Sequence, residues 1–271
     1  MATETTTVHK GETRAASTAA GGTAMSTTAD IIGLPEGTRH VALHAHTYAS
    51  SATVVKFALV PYLMIIKTAD SLATAPTDYS SEAQDASTST VVTLDALNTA
   101  AEGDFLYVGS HSPFRGVDID VTAANGTSSV LTVKYWNGSA WADISDTDGT
   151  ISSGKTLAQD GQVTWTIPAA WTADSLVDIG DASSAVGAHV GRQDVYWTRW
   201  EVGTQIDGEV ELGHMLAMAR STAYAELTTG QDWEALVGGG PGGDAGVEGL
   251  TDTGTAKRIV NASTLGRAIF A

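Results

Sequence analysis

Between residues 104 and 202 apolar and polar side chains alternate with a period of two, run after run, and turn residues separate the runs. Successive side chains on a strand point to opposite faces, so this alternation describes strands with one face on a core and the other toward water. The runs are DFLYVGS, GVDIDVTA, SSVLTVKYW, AWADIS, GQVTWTIP and DVYWTRWEV. In the second, Val117, Ile119 and Val121 take the core side against Asp118 and Asp120; in the fifth, Val163, Trp165 and Ile167 oppose Thr164 and Thr166. Asn137-Gly138 joins two runs and supplies the positive-φ residues of a tight hairpin. Many short, half-buried strands predict an all-β protein: an antiparallel β-sandwich or jelly-roll, with a second smaller β region and an extended N-terminal arm.

The rest of the chain divides around that block. Residues 1–31 are Thr, Ala and Gly with almost nothing large and apolar, too little to offset their own ordering entropy, and are expected to form an extended or disordered arm. Residues 32–102 form a β-rich region. In it Val41, Leu43 and Ala45 alternate with His40, Ala42, His44, His46 and Tyr48, and strands are expected at 53–59 and 62–68, with Pro61 at a bulge or an edge. Residues 72–89 read as a long loop. The sandwich takes 103–212, and 213–271 is a C-terminal β region with a glycine-rich loop, VGGGPGGDAG, expected to pack back on the N-terminal region.

Charge restricts the partners. Asp and Glu number 31 against 14 Lys and Arg, a formal net charge of −17, which repels nucleic-acid phosphates and anionic membrane surfaces, so neither is an expected partner. The N-terminal segment lacks the basic start and apolar stretch of a secretory signal, and the apolar run 58–66 is far short of the roughly 20 residues of a membrane helix. With no cysteine, disulfides and zinc–thiolate sites do not arise. The Asn-x-Ser/Thr triplets at Asn125, Asn137 and Asn261 read as turn residues.

Four constellations carry possible chemistry. Residues 149–156, GTISSGKT, spell a GxxxxGKT phosphate loop, but a working one needs a buried strand before it and a helix after it; acidic DISDTD precedes and a turn follows. A hairpin loop is the expected structure. His40, His44 and His46 share one face of a strand, as metal-ligating imidazoles can, although no carboxylate or thiolate lies nearby in sequence to complete a set; a hydrogen-bonded strand face or subunit interface is the plainer reading. Asp143, Asp146 and Asp148 offer oxygen donors without the ligand spacing of an EF-hand, and a solvated acidic turn is expected there. Among the tryptophans, Trp165 and Trp197 share faces with apolar neighbours, whereas Trp200 projects with Tyr196 from the opposite face; His44, His46, Tyr48, Tyr196 and Trp200 are thus interface or glycan-binding candidates. No nucleophile elbow or paired acid and base stands out, so no enzyme activity and no cofactor is expected.

The pieces YVGS, PFRG, VTAAN, LTVKYWNGSAW and a late YW-x-R strand, spread over residues 104–202, resemble a β-sandwich module of virion structural proteins of tailed bacteriophages and related archaeal tailed viruses. PYLMIIKTAD before it and LAMARSTAYAEL after it extend the resemblance. It implies a virion structural protein, assembled in the host cytoplasm in contact with the major capsid protein or other virion proteins; the arm at 1–31 and the strand face of His44, His46 and Tyr48 add the expectation of a symmetric homo-oligomer. The place it suggests is the head exterior, as a decoration, turret or spike-base protein. A tail or baseplate component such as a fibre adaptor is the alternative, and a carbohydrate-binding module that takes a host-surface glycan is a third reading.

Overall fold

The computed structural model describes residues 8–9, 23–34, 38–47, 54–68, 76–84, 90–179, 193–220, 224–227, 232–236, 243–252 and 256–263. The protein is all-β with antiparallel ladders. From the N-terminus run β1 (Val8–His9), β2 (Thr23–Met25), β3 (Asp30–Gly33), β4 (His40–Thr47) and β5 (Val55–Pro61). Next come β6 (Met64–Lys67), β7 (Thr77–Asp78), β8 (Val92–Thr93), β9 (Leu106–Ser110), β10 (Gly116–Ala123) and β11 (Leu131–Trp136). They are followed by β12 (Trp141–Asp143), β13 (Thr147–Asp148), β14 (Gly161–Thr164), β15 (Tyr196–Val202) and β16 (Glu211–Ala217). The C-terminal part adds β17 (Ala225–Leu227), β18 (Asp232–Leu236), β19 (Asp244–Thr251) and β20 (Ala256–Ser263). A single helical turn, α1 (Leu176–Ile179), opens behind Ser175, whose hydroxyl accepts from the Asp178 N–H at 3.1 Å as an N-cap. Among the described residues no helix is long and apolar enough to cross a membrane.

Two compact units result, one from Met1–Val60 with Ser221–Ala271, the other from Pro61–Arg220. In the first, one sheet runs β1-β20-β4-β18 with β2 also on β20, and the other runs β17-β5-β19-β3. Its core gathers Ile32, Leu34, Val41, Leu43, Val55, Phe57 and Val247, so the odd-numbered face of β4 is the buried one. The segment 1–31 is extended in its described parts, as expected, and is held in the sheets of this unit. Its described parts pair as strands, Val8 opposite Ala262, Thr23 opposite Arg258 and Asp30 opposite Gly249, because distant C-terminal strands satisfy backbone groups that local sequence could not.

The second unit is a sandwich of a six-stranded sheet, β12-β11-β15-β9-β6-β7, and a five-stranded sheet, β13-β14-β10-β16-β8. The boundary expected at 102/103 lies instead at 60/61, because β6, β7 and β8 hydrogen-bond into these sheets. The segment expected as a loop at 72–89 contains β7 and a 3₁₀ turn at Glu82–Gln84. Buried Gln84 replaces strand pairing there: its side chain accepts from the Leu63 N–H at 2.8 Å and donates to the Leu63 carbonyl at 2.6 Å. On β10, Val117 lies opposite Val163 and Ile119 opposite Met215, all fully or nearly fully buried. Burying such a side chain is worth about 1.5–3 kcal/mol.

Candidate functional site

The six-stranded sheet carries aromatic residues on both faces. On the face toward the partner sheet, Trp165, Trp171, Trp200 and Phe114 form a chain of edge-on and tilted contacts; Trp165 meets Trp200 at 6.4 Å between centroids and 82° between planes. Each indole N–H of the three tryptophans is satisfied: Trp165 donates to the Phe114 carbonyl at 2.8 Å, Trp171 to the Trp197 carbonyl at 3.0 Å and Trp200 to the Thr198 hydroxyl at 2.9 Å. Trp200 is 1% exposed. The expectation of an outward Trp200 available to a sugar or a partner is therefore wrong. Its side is the interior of the sandwich, and Val133 stands opposite it on β11. Tyr196, on the same face, is half-buried against Trp171 at 5.9 Å.

The other face is where the sheet departs from an ordinary outer surface. Trp197 is also fully buried, its ring lying on Gly109, where an added Cβ would come closer to the ring than real Cβ contacts allow. Met64, Ile66, Phe105, Tyr107, Leu176 and Val195 cluster with it, and α1 supplies the cover. Beside them Arg199 lies over the Phe105 ring at 4.4 Å and the Trp141 ring at 4.9 Å. Glu201 accepts from Arg199 Nε at 2.9 Å, pairs with its Nη2 at 2.7 Å, and pairs through its other oxygen with Lys134 Nζ at 2.7 Å. Register explains the assembly: Lys134 stands opposite Arg199, and Tyr107 stands opposite Arg199 on the other side. Trp136 and half-buried Trp141 pair at the hairpin end, 5.7 Å between rings. The indole N–H groups of Trp141 and Trp197 are buried without hydrogen-bond partners, which costs about 1–3 kcal/mol each. Most of this face is covered within the chain, and Trp141 on edge strand β12 is the ring on it that stays half-buried, where another protein can pack.

Sequence reasoning missed Arg199, Glu201 and Lys134. The available signal was that two adjacent strands, LTVKYW and YWTRWEV, carry aromatics at both parities, which a sheet with one wet face does not need. It also missed His214, which is buried on β16 with its ring nitrogens 3.8 Å from Asp118 and 3.8 Å from Asp120. Asp120 stands directly opposite His214 on β10, so the face expected to meet water holds this histidine instead.

The remaining candidates resolve as follows. Asp143 accepts from the Ser145 N–H at 2.6 Å and Asp146 from the Val133 N–H at 3.0 Å. Asp148 accepts from the Thr150 N–H at 2.8 Å, the Thr150 hydroxyl at 2.5 Å and the Thr156 hydroxyl at 2.6 Å. These carboxylates hold loop backbone. Burial pushes the Asp146 carboxyl above the ordinary aspartate range, its bond from Val133 opposing the shift. The loop 149–156 folds back on itself, Ser152 against Lys155, with no helix behind it, and Thr156 is fully buried. Among the described residues the carboxylate group whose oxygens lie within 4.8 Å of one another is instead Asp174, Asp178 and Asp194. Asp174 there already accepts from Trp136 Nε1 at 3.2 Å, and Asp178 from the Ser175 hydroxyl at 2.8 Å. His40, His44 and His46 lie at alternate positions of β4, while Tyr48 lies outside the described residues.

Comparison with known proteins adds no relative: no family model matches the chain, and a search of curated proteins finds no match.

Proposed function

We propose that the chain is a non-enzymatic structural protein of a tailed-virus particle, mounted on the exterior of the head as a decoration, turret or spike-base protein. The observation that carries this reading is where the virion-like pieces fall. LTVKYWNGSAW forms the β11–β12 hairpin, YWTR forms the strand beside it, and YVGS forms the next, so these three pieces make one continuous patch of the six-stranded sheet, while PFRG and VTAAN flank β10 of the other sheet. The same patch bears the Arg199–Glu201–Lys134 network and the partly covered Trp141, on which a capsid protein or another copy of this chain can pack. An acidic surface of net charge −17 supports solubility at the concentrations at which shells assemble.

Electron microscopy of intact virions, with the chain located by a bound antibody fragment and its presence checked by mass spectrometry of purified particles, tests the reading. Density at threefold, fivefold or sixfold positions of the shell is the expected result. Density along the tail axis transfers the protein to the tail, and absence from purified particles refutes a virion role. Light scattering of the purified chain should show a symmetric homo-oligomer.

A further inference from the structure

In sequence, Asn125-Gly126-Thr127 and Asn137-Gly138-Ser139 look alike; the fold treats them differently. Asn125 is 2% exposed and its N–H donates to the Leu157 carbonyl at 2.9 Å. Its side-chain oxygen accepts from the Thr127 N–H at 2.9 Å and the Asp207 N–H at 3.4 Å, while its amide nitrogen donates to the carbonyls of Thr127 at 2.9 Å and Thr156 at 3.0 Å. The Gly126 N–H donates to Asp207 Oδ2. A Cβ at position 126 would lie 2.7 Å from that oxygen, so glycine is what lets the carboxylate approach the backbone here. Asp207 is anchored by its carbonyl, which accepts from the Ala96 N–H at 2.9 Å, and its Oδ1 is buried with no hydrogen-bond partner. Among the described residues the Gly126 N–H is thus the one donor this carboxylate holds. At Asn137 the side-chain oxygen accepts from the Ser139 N–H at 3.0 Å and the Ala140 N–H at 2.9 Å, but no carboxylate takes the Gly138 N–H among the described residues.

We propose that Asn125-Gly126 is a self-modification site, at which the Gly126 nitrogen closes on the Asn125 side-chain carbon to form a cyclic imide with Asp207 as general base. Asp207 takes the Gly126 amide proton as the new C–N bond forms. The bond from the same carbon to Nδ2 then breaks, and that nitrogen leaves as ammonia with the proton Asp207 carried. The two N–H groups on the Asn125 side-chain oxygen stand where negative charge develops during the attack, the arrangement that stabilises an oxyanion. Gly126 is exposed, so water reaches the imide and opens it to aspartate or isoaspartate. Either product ends in a carboxylate, which accepts hydrogen bonds and donates none, and the two bonds to the Thr127 and Thr156 carbonyls are lost. The single turnover thereby unpins the loop at 125–127 from its neighbour at Thr156 and adds a negative charge to it.

The test is incubation of the purified full chain over days, followed by peptide mass spectrometry that separates asparagine, imide (the loss of one ammonia) and the hydrolysed products at both Asn-Gly pairs. Asn137-Gly138 is the internal control. In the folded chain Asn125 is expected to convert at least about tenfold faster than Asn137, since a positioned general base is worth about 10²–10⁴ in rate. In concentrated urea, where the carboxylate is no longer held at the Gly126 N–H, the two sites should convert at equal rates. Asp207→Ser should slow Asn125 by about a hundredfold and leave Asn137 within about twofold of the parent. Because that variant can fail to fold, the comparison of the natural chain with and without urea decides on its own. Conversion of Asn125 no faster than that of Asn137 in the folded chain, an advantage that persists in urea, or an unchanged Asn125 rate in folded Asp207→Ser overturns the proposal.

Discussion

Replacing Trp200 by Ala tests the two-faced reading of the six-stranded sheet directly. A tryptophan buries about 150–250 Å², and truncating a buried aromatic to Ala costs about 3–5 kcal/mol once the residual cavity is included. Trp200 is 1% exposed, wedged between Trp165 and β11, and loses both its edge-on contact and its hydrogen bond to Thr198, which places it in the upper part of that range. With a urea slope of about 2 kcal/mol/M, the midpoint should fall by about 2 M. Tryptophan fluorescence suits the assay, since every Trp except Trp233 lies in the Pro61–Arg220 unit and so reports its unfolding. Tyr196→Ala, a half-buried position on the same face, should shift the midpoint by less than half as much. The double variant with Trp165→Ala should show a coupling of about 0.5–1.5 kcal/mol, as expected of an aromatic pair in contact. A loss under about 1 kcal/mol for Trp200→Ala, below the usual cost of a buried large-to-small change, would refute the placement of this face inside the sandwich.

Glu201→Gln removes the one negative charge that Arg199 and Lys134 share where all three are mostly covered; a loss of about 2–3 kcal/mol is expected, below the 3–5 of a fully buried pair because Lys134 retains solvent, and chemical denaturation measures it. Gly109→Ala places a methyl group against the Trp197 ring and the packing there cannot give, so about 1–3 kcal/mol of stability and a changed near-ultraviolet circular dichroism signal are expected. Asp146→Asn should stabilise the fold at pH 7. Burial raises the folded-state pKa of Asp146, so the acid form is the one the fold prefers; the stability this group contributes is complete below its unfolded pKa of about 3.9 and is lost as pH rises through the raised value. Asparagine keeps an oxygen for the Val133 N–H, and thermal melts should show its advantage vanish at pH below about 3.9, where the natural side chain is neutral in both states.

Period-two alternation sufficed to read most strands of the sandwich, a hairpin turning at Gly138 and the inward side of β10 at Val117 and Ile119, whereas Val121, past a register shift, is half-buried and the strand read through Ile167 ends at Thr164. Misreading began where a polar residue has an apolar setting. Arg199 and Glu201 on β15 look like a wet face, yet the guanidinium lies over two rings and the carboxylate is held by two cations. Trp200 is misread for another reason: both faces of β15 are buried, so taking the face of Val195 and Trp197 as the core turns Trp200 outward. Asp143, Asp146 and Asp148 look like ion ligands because composition cannot tell a carboxylate aimed at a metal from one that caps loop N–H groups.

Pairings between the chain's two ends were the least legible part, and the reason is physical. Nothing in the local pattern of β4 names β18 or β20 as its neighbours, and the arm at 1–31 is too poor in apolar residues to advertise a strand. Those strands form only when Ser221–Ala271 is present, whereas Pro61–Arg220 is contiguous and needs no such partner. Loop-closure cost grows only with the logarithm of the separation, each doubling adding about 0.6 kcal/mol, so a long insertion between paired strands is cheap at equilibrium even though it delays their meeting. A chain of this design can therefore place its recognisable strands in one continuous unit and complete the other from its two ends, with β4 between β18 and β20.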